Sequence, residues 1–362
     1  MPRDDTVMDD LMDTYDVVVI GGGAAGLNGA LMLARSRRSV VVLDAGAPRN
    51  APAEGVHGLL GHDGIAPREL IERGRAEVRR YGGDVVAGDV TGATREEDHF
   101  LVTLAEGRGI RARRLLIAAG LVDELPDVPG VRELWGRDVL HCPYCHGWEV
   151  RDKPIGVLAT GPRAMHQASL FRQLSDDVVF FSHTAPPTDE QAEELAALGI
   201  SVIDGKVASL DVQNDHLAGV RLADGTVVDR DVLVVMPWMV ARAGFLTDLG
   251  LRPALHPSGL GEHIPADPTG RTDVPGVWAA GNVTDLAAQV GASAAAGAFA
   301  ATQINADLVA EDTRIAVERR NLTTPARRRD PSGNLIEINQ PVSSSAGASR
   351  RRPPLCRPNQ EM

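Results

Sequence analysis

The chain has 362 residues, 43% hydrophobic and 24% charged, and carries a formal net charge of −12. That length exceeds what one hydrophobic core usually fills, so two domains plus tails are expected, and the acidic balance argues against a nucleic-acid-binding surface over the whole molecule. Met1 to Asp16 is dominated by Asp and lacks the cationic opening of a secretory or transit peptide, while the apolar run Val17 to Ile20 is far shorter than a membrane span. Three cysteines in a chain of this size indicate a reducing compartment, read here as the cytoplasm.

From Tyr15 onward, Val17 to Ile20 reads as a buried parallel strand that runs into Gly21-Gly22-Gly23-Ala24-Ala25-Gly26 and then a helical segment, Leu27 to Arg35. This is Gly-x-Gly-x-x-Gly in the strand-turn-helix setting it requires. Gly21 allows the tight turn, Gly23 lets backbone amides approach a pyrophosphate at the helix N-terminus, and Gly26 lets the helix pack on the sheet. The next strand, Val40 to Leu43, ends in Asp44, at roughly the 20-residue offset where a carboxylate meets ribose hydroxyls. A glycine-rich turn with no ligand is the bland alternative, and strand, helix and acid together disfavour it.

Asn50 to Gly64 is a Gly-, Pro- and His-rich loop, and Pro67 to Tyr81 has helical spacing. Val85 to Val90, Phe100 to Leu104 and Arg111 to Ile117 read as strands, the last closing on Ala118-Ala119-Gly120. Those small residues fit either a backbone passing close to a dinucleotide or plain tight packing. Leu125 to Gly130 is a linker.

The linker leads to His141-Cys142-Pro143-Tyr144-Cys145-His146, which holds two of the three cysteines. Two intervening residues close a very small ring and suit a cycling disulfide better than a structural one. His141 and His146 can move a proton or hold a thiolate by charge. A zinc site would need a second ligand pair, which the distant Cys356 cannot supply, so no metal is assigned. The Cys-x-x-Cys-His pattern also fits c-type haem attachment, a chemistry that needs export.

A second strand-loop-helix pattern follows: strand Ile155 to Ala159, loop Thr160-Gly161-Pro162-Arg163-Ala164, helix Met165 to Leu174 and strand Val178 to Phe181. Ala159 stands where the first glycine belongs, and Pro162 removes an amide from the turn. After Phe181, Ser182 to Pro187 offers neither an acid for a ribose nor an Arg pair for a 2′-phosphate. Further strands are expected at Ser201 to Ile203, Val207 to Val212, Leu217 to Leu222 and Val232 to Met236. Gln289 to Ile304 reads as a small-residue helix, suited equally to approaching a flat ligand and to close packing.

From about Tyr15 to about Ala310 the chain resembles a low-molecular-weight thioredoxin reductase, on the ordered series of the amino-terminal glycine loop, Asp44, Ala118-Ala119-Gly120, the Cys pair and Ala280-Gly281-Asn282. The resemblance implies an α/β fold of two Rossmann-like dinucleotide-binding domains, the second inserted in the first. Residues 14–124 and 239–312 would form the FAD domain, 125–238 the inserted nicotinamide-type domain with the redox pair, and 313–362 a basic, disordered tail. It also implies FAD held by Gly21, Gly23, Ala24, Ala25, Gly26 and Asp44, with Ala119 and Gly120 beside it. Gly281 and Asn282 would meet the flavin's linker, and Gln289 with Val290 its pyrimidine end. Cys145 would lie against the isoalloxazine while Cys142 exchanges with substrate. The departures, Asn282 and His146 where that family usually has Asp, and the eroded second loop, are similar to the dithiol oxidases of the same fold, of the gliotoxin and holomycin type. Those pass electrons from a small-molecule or peptide dithiol through the Cys pair and FAD to oxygen, without NADPH.

That reading expects a homodimer with no nucleic-acid or membrane partner. Its rivals are an NADPH-dependent reductase of thioredoxin and a flavin-binding redox sensor without turnover. After Glu311 the chain is Arg- and Ser-rich and reads as disordered. Asp330 to Glu337 resembles a fragment of a glyoxalase-like strand, to which no metal is assigned, and Cys356 reads as a free thiol.

Overall fold

A computed structural model describes residues 11–323 and the backbone of two short strands beyond them. The chain opens with β1 (Thr14–Ile20), α1 (Ala24–Arg35), β2 (Val40–Asp44), α2 (Pro67–Arg80) and β3 (Asp84–Ala87), a parallel wound unit. β4 (Val90–Arg95), β5 (Phe100–Leu104) and β6 (Gly109–Ile117) follow as an antiparallel meander, and β6 returns to lie parallel beside β1. The sheet order is β3-β2-β1-β6-β5-β4. The single strand expected over Val85 to Val90 is two. Parallel pairing stops where Asp44 meets Ala87, the Gly88 N–H donates to the Asp44 carbonyl at 3.0 Å, and the chain turns into β4.

β-branched residues dominate the centre of this sheet because both faces are covered. Val18, Ile20, Val41, Leu43, Leu115 and Ile117 enter the core on one face, and Val17, Val19, Val40, Val42 and Leu116 the core on the other. That alternation is the two-residue period of a pleated strand. Truncating a fully buried member such as Leu116 to Ala should cost about 2–5 kcal/mol.

β7 (Leu121–Glu124) then leads to β8 (Val139–Leu140), the one-turn helix α3 (Pro143–His146), β9 (Ile155–Leu158), α4 (Ala164–Phe171), β10 (Val178–Phe181), α5 (Asp189–Ala197) and β11 (Ser201–Ile203). α5 starts on a capping box in which the Thr188 hydroxyl accepts from the Gln191 N–H and the Gln191 side chain accepts from the Thr188 N–H. β12 (Val207–Gln213), β13 (His216–Leu222) and β14 (Val227–Val228) form a separate antiparallel sheet. β15 (Val232–Val234) completes a second parallel sheet of order β11-β10-β9-β15-β8.

β16 (Trp238–Ala241) pairs antiparallel with β7, so the chain leaves the first sheet and comes back through one two-stranded ribbon. Both strands are too short and too mixed in polarity to show in a periodicity reading. A small hairpin, β17 (Ala254–Leu255) with β18 (Glu262–His263), precedes β19 (Val277–Ala279), which joins the first sheet parallel to β6. α6 runs from Val290 to Thr323. The expectation of disorder after Glu311 is therefore corrected as far as Thr323, because the sequence there has Arg and Glu and neither Gly nor Pro, and so sustains helix. Beyond it β20 (Ala326–Arg329) pairs antiparallel with β21 (Leu335–Ile338), the latter covering the end of the glyoxalase-like stretch, while Asp330 to Asn334 and Cys356 lie outside the described residues. No described helix is long and apolar enough to cross a membrane.

Candidate active site

The first glycine loop leaves β1 where the Gly21 N–H donates to the Leu43 carbonyl at 2.8 Å. Gly21 has φ +108, and a Cβ there would fall 2.3 Å from the Ala118 carbonyl oxygen and 3.0 Å from Ala119 Cα. A Cβ on Gly26 would fall 1.9 Å from the Gly21 carbonyl oxygen, and one on Gly22 would run into the Asp44 side chain at 2.5 Å. Gly23 differs, for a Cβ built on it meets nothing within 4 Å. The outer glycines are thus fixed by the protein's own packing, while Gly23 opens onto space at the amino end of α1. Asp44 Oδ1 accepts from the Gly46 N–H at 3.1 Å and Oδ2 pairs with Arg75 at 2.6 Å. A tight loop, an open amide face and an anchored carboxylate at the end of β2 fit the pyrophosphate and ribose of a dinucleotide.

The small-residue helix α6 packs on α1. A Cβ on Gly297 would lie 1.9 Å from the Ala25 carbonyl oxygen, and Asn28 Nδ2 donates to the Ala294 carbonyl at 2.8 Å. Sequence left close packing and approach to a ligand equally open, and packing explains the glycine at 297. At its amino end, Gly281 would touch the Ala25 Cβ at 2.8 Å if it carried a side chain, and Ala24, Asn28, Val290 and Ala294 line one cavity. Asn282 Nδ2 donates to the carbonyls of Asp285 at 3.0 Å and Ala288 at 2.9 Å. An aspartate could not donate there, which gives this departure a local reason. The Gln289 carbonyl accepts from the Ser293 N–H at 2.8 Å and starts the helix. Gly120 ends β6's strand-loop exit with φ +70 and open space around it.

Cys142 and Cys145 form a disulfide with Cα atoms 5.4 Å apart. The Cys142 carbonyl accepts from the Cys145 and His146 N–H groups at 3.3 Å, so the turn of α3 itself brings the sulfurs together. Burial pushes His141 down to about 4, with Arg49 adding to the shift and Asp123 opposing it. Burial also lowers His146, against the nearby Glu149, and its Nε2 is buried without a hydrogen-bond partner among the described residues. Both rings are therefore neutral bases at neutral pH. Tyr144 and Trp148 beside the disulfide are 69% and 66% exposed, and Arg151 lies 4.2 Å over the Trp148 ring.

Sequence reasoning passed over the loop from Asn50 to Gly64, which bridges the two halves of the site. His57 Nε2 lies 3.4 Å from Glu149 Oε1, just past the redox turn. On the other side a Cβ on Gly291 would lie 3.6 Å from Leu59 Cδ1, at the start of α6. Arg49 forms a bidentate pair with Asp123 at 2.7 and 2.8 Å beside His141. No periodicity marks these residues, and the concentration of Gly and His in the loop is their one sequence signal.

In the second wound unit the Ala159 N–H donates to the Phe181 carbonyl at 2.9 Å, the counterpart of Gly21 on Leu43. Ala159 is fully buried, and Ser182, the counterpart of Asp44, is buried with its hydroxyl accepting from the Gly205 N–H at 3.2 Å. Arg163 turns away to the Ser258 carbonyl at 3.1 Å. Among the described residues no group of three or more metal-ligating side chains occurs.

A glycine cradle on the first sheet and a Cys-x-x-Cys disulfide at the edge of the second fit a flavin-dependent thiol-disulfide oxidoreductase. Residues 15–302 match the family described as pyridine nucleotide-disulphide oxidoreductase, and the chain belongs to that FAD-binding family. It is 33% identical over 317 residues to the thioredoxin reductase tcpT of Claviceps purpurea, covering 81% of this chain and 95% of that protein. The crystal structure of HlmI superposes with a TM-score of 0.81 at 50% identity, covering 86% of this chain and 97% of that one. An oxidoreductase from Agrobacterium tumefaciens follows at 36% identity and a TM-score of 0.77, covering 82% and 99%.

Proposed function

We propose that the protein is an FAD-dependent dithiol oxidase that closes a disulfide in a small-molecule or peptide substrate, with oxygen as the acceptor. The observation that carries this reading is the second loop: Ala159, Pro162 and a buried Ser182 stand where a nicotinamide dinucleotide needs a glycine turn, a free amide and an acid. Losing two or three charge-assisted bonds at about 1.5–3 kcal/mol each weakens such binding by roughly a hundredfold or more. In this reading residues 14–124 and 239–312 bind FAD, 125–238 carry the redox pair, and the enzyme works as a cytoplasmic homodimer.

A substrate thiolate attacks Cys142 Sγ, the S–S bond breaks, and Cys145 leaves as a thiolate. The second substrate thiolate then attacks the substrate sulfur of the mixed disulfide, releasing Cys142, and the product departs as a disulfide. The neutral rings of His146 and His141 accept the protons that the thiols give up. Gly21, Gly23, Gly26 and Asp44 would hold FAD, which when bound would supply the two-electron acceptor for the Cys142 and Cys145 thiols, with oxygen as the final oxidant.

The likeness to a thioredoxin reductase of Claviceps purpurea supports a second reading, an NADPH-dependent reductase, and Gly161 retains open space in the second loop. Anaerobic mixing of the yellow protein with NADPH, NADH or a dithiol separates the two. Bleaching by the dithiol alone, followed by peroxide on admitting oxygen, is expected. Rapid, saturable bleaching by micromolar NADPH without dithiol-driven oxygen uptake would establish the reductase.

A further inference from the structure

Gln167 is one of the few polar side chains buried in the described residues, at 2% exposure. It stands on α4, the helix that follows the second loop. Its Nε2 donates to the carbonyl oxygens of His141 at 3.1 Å and Val235 at 3.3 Å. These two residues lie just past the ends of β8 and β15, neighbouring parallel strands paired at Val234 and Leu140, and Cys142 comes directly after His141. The Oε1 of Gln167 has no hydrogen-bond partner among the described residues. An apolar side chain of the same shape would avoid the unsatisfied Oε1 but forfeit both hydrogen bonds to the His141 and Val235 carbonyls. Packing alone therefore does not select glutamine here.

We propose that Gln167 is a positioning residue for the redox pair, tying the root of the Cys142–Cys145 turn to the carboxyl edge of the second sheet so that Cys145 meets the flavin in one orientation. The inference rests on the dithiol and flavin reading given above. It assigns α4 a task that replaces dinucleotide binding: the helix that would have faced a pyrophosphate holds the disulfide turn instead. The turn's own closure does not depend on this tie, because the Cys145 and His146 N–H groups bond to the Cys142 carbonyl and the Gly147 N–H to the Pro143 carbonyl at 2.8 Å. Loss of Gln167 should therefore leave disulfide closure alone and disturb the electron step, which is sensitive to displacements on the order of 1 Å.

Gln167→Met and Gln167→Asn holoproteins test this in two assays. In the first, anaerobic dithiothreitol reduces the pair and the rate of flavin bleaching is followed. In the second, the reduced pair meets oxidised glutathione: the Cys142 thiolate displaces one glutathione thiolate, Cys145 displaces the other, and mass spectrometry follows the loss of the adduct. Bleaching slowed roughly 10- to 100-fold, with closure within about twofold of the parent, is the expected result. Unchanged bleaching in either variant that retains flavin, or parallel slowing of both assays as general loosening would produce, overturns the assignment. A parent protein that dithiothreitol does not bleach would instead overturn the reading of function on which it rests.

Discussion

The two wound units start from the same hydrogen bond, Gly21 to Leu43 in one and Ala159 to Phe181 in the other, and then part. In the first, two residues separate the turn from α1; in the second, the four residues Thr160 to Arg163 separate Ala159 from α4. Asp44 presents a carboxylate at the end of β2, whereas Ser182 at the end of β10 is buried and bonded inward. Such a fold can keep its core while its loop contacts change, because its stability lies in the alternating apolar faces of the strands, which both sheets keep. Ligand binding needs a few backbone amides and one acid, and these can be lost without touching the core.

The sharpest test of that difference is to burden the open glycine of each loop. Gly23 and Gly161 both have room for a Cβ, so the protein's own packing does not dictate glycine at either position. Gly23→Leu should abolish FAD binding, a loss of at least about a hundredfold read as a colourless but folded protein, because the side chain would occupy the pyrophosphate's approach. Gly161→Leu should leave the flavin spectrum and dithiol turnover unchanged. Loss of dithiol turnover in Gly161→Leu would mean that the second loop still binds something the reaction needs.

The next largest effect belongs to the redox turn on the second sheet. In the proposed reading, Cys142→Ser should stop exchange with substrate yet leave Cys145 able to interact with the flavin, and Cys145→Ser should trap substrate on Cys142 and block flavin reduction. Mass spectrometry of the adducts distinguishes them. Retained turnover in both, with loss in Cys356→Ser, would refute the assignment of the pair.

A pH dependence follows from His141 at the same sheet edge. Its folded value of about 4 lies below the ordinary 6.5, so the unfolded chain binds the extra proton first as pH falls. The contribution is complete above 6.5 and is lost between 6.5 and about 4, on the order of 3 kcal/mol in all. Thermal melts from about pH 7 to pH 5 should show this decline, and His141→Asn should flatten it. The smallest expected effect is on the first half: Asn282→Asp removes donors to the Asp285 and Ala288 carbonyls and should cost about 1–2 kcal/mol, with FAD affinity weakened in step. Titration with FAD after removal of the cofactor would show it.

Much of the first unit was legible from sequence because its signals are local. A run of Val and Ile closes on glycines, a helix follows, and an acid ends the next strand, all within residues whose conformation each residue type restricts directly. The Cys pair is equally local, since only two residues separate the cysteines whatever surrounds them. The same locality misjudged the division between β3 and β4, where pairing with Asp44 decides, and the end of α6, where charge hid helical continuity.

Sequence by itself determined the central strands of both sheets, the glycine cradle, the Cys-x-x-Cys turn and the departure of the second loop from the first, because period, sterics and short spacing act along the chain. Tertiary structure alone decided that Ser182 is the counterpart of Asp44, that His57 reaches Glu149, that the Asn282 amide faces a loop of carbonyls, and that Gln167 holds His141. Apart from the local Asn282 loop, these contacts join residues tens of positions apart, and which of them meet is fixed by the order in which the strands lie side by side.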